Sequence, residues 1–505
     1  MRKGCLIVIC GAFLWGGVAR AQFGRGLGDF VTSGYDPQRS SWVRNETKFS
    51  IQAMQKPGFE FLWKVKLDAN AKQSFAPPIL LNNYIGYRGF RSLAYVGATS
   101  NKVVALDSDL GRIEWQQQLP GTPASPACSG LMTSLTRSTT TAFPGISGGR
   151  GGGGRGSAAT STVSEPNQGS TIYQQALARA ANNPPGAPQP GRGRGNPPPT
   201  PPPGLPPRNY GVIYSLGADG MLHTGFLSSG RTAVPPTQFL PANSNALGLI
   251  VTDDFAYAAV APRCGSVAES IMAVDLSTKE VLTWKPDSGQ IAGSAGAAVG
   301  PDGTLYVATT GGELATLEAK TLKLKSTYKA GQAFASSSVI FEFKDRVLIA
   351  ASTNDGRIHL VDAKDPDKAV TTADAGLTSD ALASWQDVAG VRWILGASKT
   401  AIVAVKVVDQ NGTPAVQSGW TSRSFAPTGS PTAPLIVNSV VFTASTGSSP
   451  AVLWAFDGTT GKDLWNSGKA IAGALRGGGI SIGNSQVYLG TVDGTLYAFG
   501  FPMEH

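Results

Sequence analysis

The sequence predicts an all-β protein: an eight-bladed β-propeller of four-stranded antiparallel blades, closed by an N-terminal strand near residues 61–67. Its composition and a recurring hairpin both indicate this fold. Of the 505 residues, 41% are hydrophobic, 63 are Gly and 34 are Pro, which allows a core but favours short strands and turns over helices. The hairpin turns keep a steady interval: Gly312 and Gly356 are 44 residues apart, and Gly356 and Gly494 are 138 apart, three times 46.

Each predicted hairpin places a short turn between two β-rich runs. Asp-Gly and Gly-Gly pairs supply the positive φ angles that a two-residue turn between antiparallel strands needs. Clear turns lie at residues 216–221, 308–313, 351–356 and 489–494, and weaker ones near residues 100–102, 263–269, 398–400 and 447–450. Without the signal peptide and the insertion described below, 419 residues remain. Divided among eight hairpins, they give about 52 residues per unit, which suits a four-stranded blade. A stack of unrelated β-sandwiches is the alternative, but sandwiches do not keep so regular a period.

A second signature follows several hairpins, with a Trp eight or nine residues after an Asp. The pairs are Asp107 with Trp115, Asp275 with Trp284, and Asp457 with Trp465. The Asp accepts hydrogen bonds from turn amides and the Trp covers the join between neighbouring blades, so both are predicted to be structural. The units around residues 361–362 and 403–408 lack the Gly and the Trp of this signature.

Closure of the ring is predicted from the last unit, which supplies only three strands, around residues 475–482, 486–489 and 495–500. Residues 61–67 have the character of an outer strand, and Trp63 stands at the docking position. We expect them to complete the last blade and remove its exposed edge. The predicted docking residues are therefore Trp63, Trp115, Trp284 and Trp465.

The N-terminus is predicted to be a Sec signal peptide of a bacterial exported protein. Arg2 and Lys3 precede an apolar run that ends in small residues, which favours cleavage after Ala21. An uncleaved membrane anchor is the alternative, but the run is shorter than the ~20 residues that a spanning helix needs. The predicted organisation is a signal peptide at 1–21, a lead-in segment at 22–60 and one propeller at 61–505, periplasmic or secreted, without a transmembrane span after cleavage.

Residues 144–208 interrupt the propeller as a predicted disordered insertion. They contain 14 Pro and 14 Gly, which cannot build a core. The insertion carries +5 and the signal peptide +3 of the formal net charge of +9, leaving about +1 for the rest. The basic balance therefore does not indicate a nucleic-acid surface on the folded body.

Two of the four cysteines, Cys128 and Cys264, remain after signal cleavage. The strand assignment places both at the same face of adjacent blades, and an oxidising compartment permits a bridge. We predict a disulfide between them; two separate buried thiols are the alternative.

The repeat resembles a known family, the pyrroloquinoline quinone (PQQ) repeat of quinoprotein alcohol dehydrogenase-like propellers. The resemblance rests on VYLGTVDGTLYAF at residues 487–499, AFDGTTGKDLW at 455–465 and SGYDPQR at 33–39. The family includes quinoprotein dehydrogenases and the propeller lipoprotein of the outer-membrane barrel-assembly machinery. In the dehydrogenases, the resemblance implies PQQ at the mouth of the ring, a vicinal disulfide, a calcium ion held by acidic and amide side chains, and an Asp base.

The chain departs from that catalytic pattern. It has no adjacent Cys pair, no Cys-x-x-Cys-His, and only three histidines, and no short-spaced cluster predicts a metal site. The weak candidates for mouth residues are Asp253, Asp254, Asp380 and Arg476. Each has a structural alternative: the two adjacent Asp as turn residues, Asp380 as a turn cap and Arg476 as a brace for the closing blade.

Two functions from different classes follow. The favoured one is a non-catalytic binding or scaffold protein of the cell envelope, with a protein or envelope partner and no cofactor. The second is a PQQ- and calcium-dependent oxidoreductase of an alcohol or sugar. Carbohydrate binding by exposed aromatic residues is a third hypothesis. The sequence leaves the partner, the substrate and the oligomeric state open.

Overall fold

A computed structural model describes twelve stretches of the chain. They are residues 29–44, 46–68, 75–86, 89–98, 100–121, 134–139, 211–252, 254–261, 268–426, 429–447, 450–475 and 479–502. The predicted signal peptide and the insertion at 144–208 lie outside these stretches, so the predicted division of the chain remains a prediction.

The described residues form eight four-stranded antiparallel blades, which confirms the predicted all-β propeller. Blade 1 comprises Ile79–Gly86, Gly89–Ala98, Lys102–Asp107 and Arg112–Gln118; blade 2 comprises Leu135–Thr136, Val212–Leu216, Met221–Phe226 and Thr232–Gln238. Blade 3 comprises Asn245–Thr252, Phe255–Ala261, Ser270–Asp275 and Val281–Trp284; blade 4 comprises Ala298–Val299, Leu305–Ala308, Glu313–Leu317 and Leu324–Lys329.

The remaining blades repeat this arrangement. Blade 5 comprises Val339–Phe343, Arg346–Ser352, Arg357–Asp362 and Asp365–Asp374; blade 6 comprises Ala383–Gln386, Arg392–Ala397, Ile402–Gln410 and Thr413–Thr421. Blade 7 comprises Leu435–Val437, Val440–Thr446, Leu453–Asp457 and Asp463–Asn466; blade 8 comprises Ile480–Gly483, Gln486–Gly490, Thr495–Gly500 and Glu60–Lys66. Three two-residue strands, Trp42–Val43, Ser138–Thr139 and Ser430–Pro431, and the short helix Ile51–Met54 complete the elements.

The ring is closed by the start of the chain, as predicted. The strand Glu60–Lys66 pairs antiparallel with Thr495–Gly500, with Lys64 opposite Tyr497 and Lys66 opposite Thr495. It begins and ends one residue earlier than predicted. The last blade thereby gains its outer strand, and the edge of Thr495–Gly500 is covered.

Tryptophans of outer strands lie across the joins between blades. Trp63 of blade 8 donates its indole N–H to the carbonyl of Ser108 in blade 1 (3.0 Å), and Trp115 of blade 1 donates in the same way to Leu227 of blade 2 (2.9 Å). A Cβ atom on Gly111 would overlap the Trp63 ring, so only glycine permits this close approach. The joins are therefore fixed by a hydrogen bond and a ring face together.

The other two tryptophans named from the sequence also lie between blades. Trp284 packs against the cluster shared by blades 3 and 4. Trp465 of blade 7 makes edge-to-face contacts with Phe59 (centroids 4.8 Å apart) and with Phe499 of blade 8 (5.6 Å). Aromatic pairs at these distances stabilise a join beyond the area they bury.

One expectation was wrong: the unit around residues 403–408 does carry a tryptophan at its join. Trp420 of blade 6 donates to the carbonyl of Gly458 in blade 7 (2.8 Å) and packs on Gly461. The hairpin between Ile402–Gln410 and Thr413–Thr421 is longer than in other blades. Trp420 therefore lies 11 residues after Asp409, the acidic residue before the turn, instead of the eight or nine that the sequence comparison required.

The lead-in segment runs inside the ring and contacts the blades in order. The carbonyls of Phe30 and Val31 accept from Leu80 of blade 1 and Arg137 of blade 2, and the Thr32 hydroxyl donates to Leu249 of blade 3. Blades 4 to 7 follow, where the carbonyls of Pro37, Gln38, Ser40 and Ser41 accept from the backbone N–H of Val299, Ile340, Ser384 and Ile436 at 2.8–2.9 Å. The Glu46 carboxylate accepts from Ser485 of blade 8 at 2.9 Å. Residues 30–46, which we call the inner segment, thus hold all eight blades.

The inner strand of blade 2 is Leu135–Thr136, and residues 122–133 lie outside the described stretches. The chain then crosses to blade 3, where Ser138–Thr139 pairs parallel with Val251 and Thr252. The next strand of blade 2 is Val212–Leu216.

Among the stretches that the structure describes, none forms a helix with the length and apolar character that crossing a bilayer requires.

A buried histidine in blade 5 is expected to make the stability of the propeller depend on pH. His359 is 4% exposed and contacts the hydroxyls of Tyr328 (2.8 Å) and Thr353 (3.2 Å). Burial lowers the pKa of His359 below its ordinary value of 6.5. The unfolded chain then binds more protons than the folded one below that value, so stability falls as the pH drops through about 6.5.

We expect the free energy of unfolding to decrease between pH 6.5 and pH 5 with a slope of up to about 1.4 kcal/mol per pH unit from this group. Urea denaturation of the wild type and of His359→Gln at pH 8, 6.5 and 5 measures it. The variant should lose less stability on acidification than the wild type; parallel profiles would contradict the assignment.

Candidate functional site

A cavity of about 860 Å³ opens at the face of the ring where the inner strands begin. Its wall includes Pro77 just before blade 1, Asn245 at the start of blade 3, Thr432 just before blade 7 and Ile480 at the start of blade 8. The inner segment forms its floor, through Phe30, Ser33, Gly34, Arg39 and Ser41. We call this cavity the mouth. Its volume is that of a site for a small molecule or a short peptide.

Arg39 is the central residue of the floor. Its side chain is 2% exposed. Nε donates to the carbonyl of Ala297 (3.0 Å), Nη1 to the Thr32 hydroxyl (2.9 Å) and the Ser33 carbonyl (2.7 Å), and Nη2 to the carbonyl of Gly248 (2.7 Å). The guanidinium therefore ties the inner segment to blades 3 and 4.

Among the described residues Arg39 has no ion-pair partner, and backbone and hydroxyl dipoles balance its charge. The nearest acid in the chain, Asp36, instead bonds Ser40 and pairs with Arg44 (3.3 Å). Burial lowers the pKa of Arg39 to about 10, with Asp36 opposing the shift. The group stays a cation at neutral pH, so the floor of the mouth is positively charged.

Hydroxyl groups and small side chains make up most of the described wall. Among the described residues around the mouth, Asp380 is the single carboxylate, and Lys399 is the one cation besides Arg39. Both side chains are exposed. The polar wall residues are Ser134, Asn245, Gln290, Ser294, Thr378, Ser379, Ser398, Ser430, Thr432 and Thr446. Such a wall offers many hydrogen-bond donors and acceptors but few titratable groups.

Of the four candidate residues named from the sequence, the structure describes Asp380 and Asp254, and these two lie at opposite faces of the ring. Asp380 lines the mouth. Asp254 lies in the turn after the eight-residue inner strand Asn245–Thr252. This turn is at the end of the strand away from the mouth, about 25 Å along the strand from Asn245. Asp254 has a positive φ of 64°, is exposed, and its carbonyl accepts from Leu276, as a turn residue does. Asp253 and Arg476 lie outside the described residues, as do Cys128 and Cys264.

Arg39 is the functional candidate that sequence reasoning missed. Residues 33–39 fall in the predicted lead-in segment, so the sequence does not predict Arg39 as a mouth residue. No local signal marks it as buried, because Arg side chains are mostly exposed. Its position in the ring follows from contacts more than 200 residues away in sequence.

No group of three or more His, Cys, Asp or Glu within the described stretches lies close enough together to hold a metal ion.

Gly293 fixes the wall of the mouth on one side. Its φ is +73°, and a Cβ atom there would overlap the backbone N of Ser337 and the carbonyl O of Asp380. That carbonyl accepts from the backbone N–H of Ser294 and Ser337 (3.2 and 3.0 Å), which joins the loops before blades 4, 5 and 6. The position therefore requires glycine for both conformation and space.

We expect Gly293→Ala to lower the free energy of unfolding by about 2–4 kcal/mol, from a left-handed backbone and a steric overlap together. Gly412→Ala is the matched control, since Gly412 has a φ of +83° with nothing within 4 Å of an added Cβ. It should cost only about 1 kcal/mol. Thermal and urea denaturation of both variants measures the difference; equal costs would contradict the packing argument.

Comparison with known proteins identifies the repeat. Residues 267–419 match the family model of PQQ repeats described as outer membrane protein assembly factor BamB. The matched stretch runs from blade 3 to the outer strand of blade 6, and the other blades repeat its architecture. The described blades form a β-propeller in which residues 267–419 match the PQQ-repeat family model. The resemblance noted in the sequence is thereby confirmed.

Solved structures share the fold of this propeller at low sequence identity. A quinohemoprotein alcohol dehydrogenase from Comamonas testosteroni is 12% identical with a TM-score of 0.55, over 96% of this chain and 82% of that one. A europium-containing methanol dehydrogenase is 10% identical with a TM-score of 0.55, over 95% and 99%. BamB from Moraxella catarrhalis is 12% identical with a TM-score of 0.47, over 88% and 99%. At such identities the likeness to the two dehydrogenases shows the fold alone.

No curated protein sequence matches the propeller significantly.

Proposed function

We propose that the propeller is a non-catalytic binding or scaffold protein of the cell envelope, which receives a segment of a protein partner in its mouth. The observation that carries this proposal is the mouth itself: a cavity of about 860 Å³ with a hydroxyl-rich wall and a closed, cationic floor. The family model over residues 267–419, described as an outer membrane assembly factor, supports an envelope role. The predicted signal peptide supports export.

The chemistry of the mouth favours binding over catalysis. General acid–base chemistry needs a titratable group within reach of the reacting atoms, with a pKa matched to its task. Asp380 is the one described carboxylate of the wall, and its side chain is exposed. The hydroxyls and backbone groups around it are suited to hydrogen bonding with a polar ligand.

Calcium, which the alternative oxidoreductase function needs together with PQQ, does not fit the described wall. Calcium takes six to eight oxygen ligands, several of them carboxylates. The described wall offers one carboxylate, Asp380, and the floor presents the buried cation of Arg39. A cation on the floor would oppose a second cation bound beside it. We therefore derive no step through either group.

A photo-crosslinking experiment in the native host tests the proposal. A photoreactive amino acid replaces Lys399 at the rim of the mouth, and in a control it replaces Val388, which is fully exposed in the turn between Ala383–Gln386 and Arg392–Ala397 at the other face. We expect one recurring envelope protein to be linked at position 399 and not at position 388. Equal labelling from both positions, or none from 399, would contradict the proposal.

An activity assay provides the second arm of the test. Purified protein is mixed with PQQ and calcium and followed by absorbance and by a dye-linked assay with alcohols and sugars. We expect neither uptake of the quinone nor turnover. Turnover would replace the binding function with the oxidoreductase.

A further inference from the structure

We propose that the mouth recognises the carboxylate at the end of an extended peptide, and that Arg39 on its floor is the residue that binds it. This inference rests on the proposed function and names the part of the partner that enters the mouth. Three features of the described residues carry it: a buried guanidinium with one N–H group unbonded, a wall of small and hydroxyl side chains, and the placement of the rim charges.

The guanidinium of Arg39 has one donor left for a ligand. It has five N–H groups, and four of them donate to Ala297, Thr32, Ser33 and Gly248. The fifth, on Nη2, has no acceptor among the described residues. No described carboxylate forms an ion pair with Arg39, although its side chain is 98% buried and borders the cavity. A buried cation without an anion is costly, and an entering carboxylate relieves that cost.

The rigidity of Arg39 adds to its fitness as a receptor. Its Nη1, Nη2 and Nε atoms are held by groups on three elements: the inner segment, blade 3 and the loop before blade 4. A donor fixed in this way loses little conformational freedom when the ligand binds, so more of the hydrogen-bond energy appears as affinity.

The wall around Arg39 suits a peptide backbone. Gly34 on the floor and Gly248, Gly293 and Ala295 on the wall carry no side chain larger than a methyl group. Hydroxyl groups of Ser33 and Ser41 on the floor and of Ser294, Ser379 and Thr432 on the wall also line the mouth. Hydroxyls both donate and accept, so they satisfy the alternating N–H and C=O groups of a chain that enters end-on.

Charges at the rim set the polarity of the mouth. Lys399 attracts an entering anion, whereas Asp380 repels it. The Asp380 side chain is exposed, and the bonds that hold its loop use its backbone carbonyl. Removing its charge therefore changes the electrostatics of the mouth without loosening its wall.

Affinity selection with peptide pools tests the proposal. The intact mature chain is incubated with random pentapeptides that end in a free carboxylate and with the same pool ending in an amide, and retained peptides are counted by mass spectrometry. A hydrogen bond between charged partners corresponds to a roughly 10- to 100-fold difference in affinity. We expect free-acid peptides to be retained at least tenfold more than amides.

Single substitutions on the floor and at the rim test the same proposal, and the rim variants keep the test independent of folding. Arg39→Lys keeps the positive charge but loses the planar guanidinium and its several N–H donors. We expect at least a tenfold loss of free-acid binding, with little change for amides. Should that variant fail to fold, Asp380→Asn and Lys399→Ala serve instead: the first is expected to strengthen free-acid binding a few-fold, the second to weaken it a few-fold. Lys364→Ala, an exposed Lys in the turn after Arg357–Asp362, is the control and should change nothing.

Each outcome decides the proposal. Equal retention of acids and amides, or rim variants without effect on free-acid peptides, would overturn it. Binding of a small dicarboxylate such as succinate in place of every peptide would also overturn it, because the ligand would then be a metabolite. The proposed binding function survives these results if the crosslink at position 399 persists, so the two failures are distinguishable.

Discussion

Replacing Arg39 by Met is expected to lower the free energy of unfolding by about 3–5 kcal/mol. The change leaves the carbonyls of Ala297, Ser33 and Gly248 without their buried donor. Hydrogen bonds to a charged group are worth about 1.5–3 kcal/mol each, and the desolvation of the guanidinium offsets part of their sum. Because the inner segment contacts all eight blades, loss of the Arg39 bonds that hold this segment should destabilise the whole ring rather than one blade.

Urea denaturation followed by tryptophan fluorescence measures this effect. Arg357→Met is the matched control, since Arg357 is exposed and its removal should change stability by less than about 0.5 kcal/mol. A cost below about 1 kcal/mol for the Arg39 variant would show that the inner segment does not hold the blades together.

Replacing Trp63 by Ala is expected to cost about 2–4 kcal/mol and to weaken the closure of the ring. The substitution removes the indole N–H bond to Ser108, the ring face that covers Gly111 and the contact with Tyr488 (centroids 5.9 Å apart). Removal of a buried aromatic side chain costs about 3–5 kcal/mol, and Trp63 is only partly buried. The outer strand of blade 8 should also exchange its amide hydrogens faster, because it is anchored at this join.

Lys64→Ala is the control for Trp63→Ala, because Lys64 lies on the same strand with its side chain exposed. Its stability should stay within about 0.5 kcal/mol of the wild type. If Trp63→Ala is equally mild, the tryptophan does not carry the closure.

The fold could be predicted because the sequence repeats with a regular period. The turn glycines set the period, and the missing outer strand of the last blade pointed to residues 61–67, which the structure places at Glu60–Lys66. Both signals are local in sequence. Where a blade departs from the average, the same reasoning fails: the long hairpin of blade 6 moved Trp420 out of the expected spacing.

The candidate site was far less predictable. Asp254 stood beside an inner strand in sequence, but the strand carries it to the face away from the mouth. Arg39 owes its place on the floor to carbonyls of Gly248 and Ala297, which no local pattern connects to it. Sites assembled from many blades depend on non-local contacts, so the repeat specifies the walls but not the residue at their centre.

The closure of the ring by the start of the chain is most directly tested by an engineered disulfide. Lys66 and Thr495 are direct partners across the antiparallel pair, where Cα atoms stand about 4.5–5.5 Å apart, within the range that a disulfide spans. The double variant Lys66→Cys/Thr495→Cys is oxidised and mapped by non-reducing peptide mass spectrometry, with Lys66→Cys/Arg357→Cys, which pairs blade 8 with blade 5, as the control. The account predicts an intramolecular 66–495 link in the first variant alone; free thiols at both positions, or links only between molecules, would contradict it.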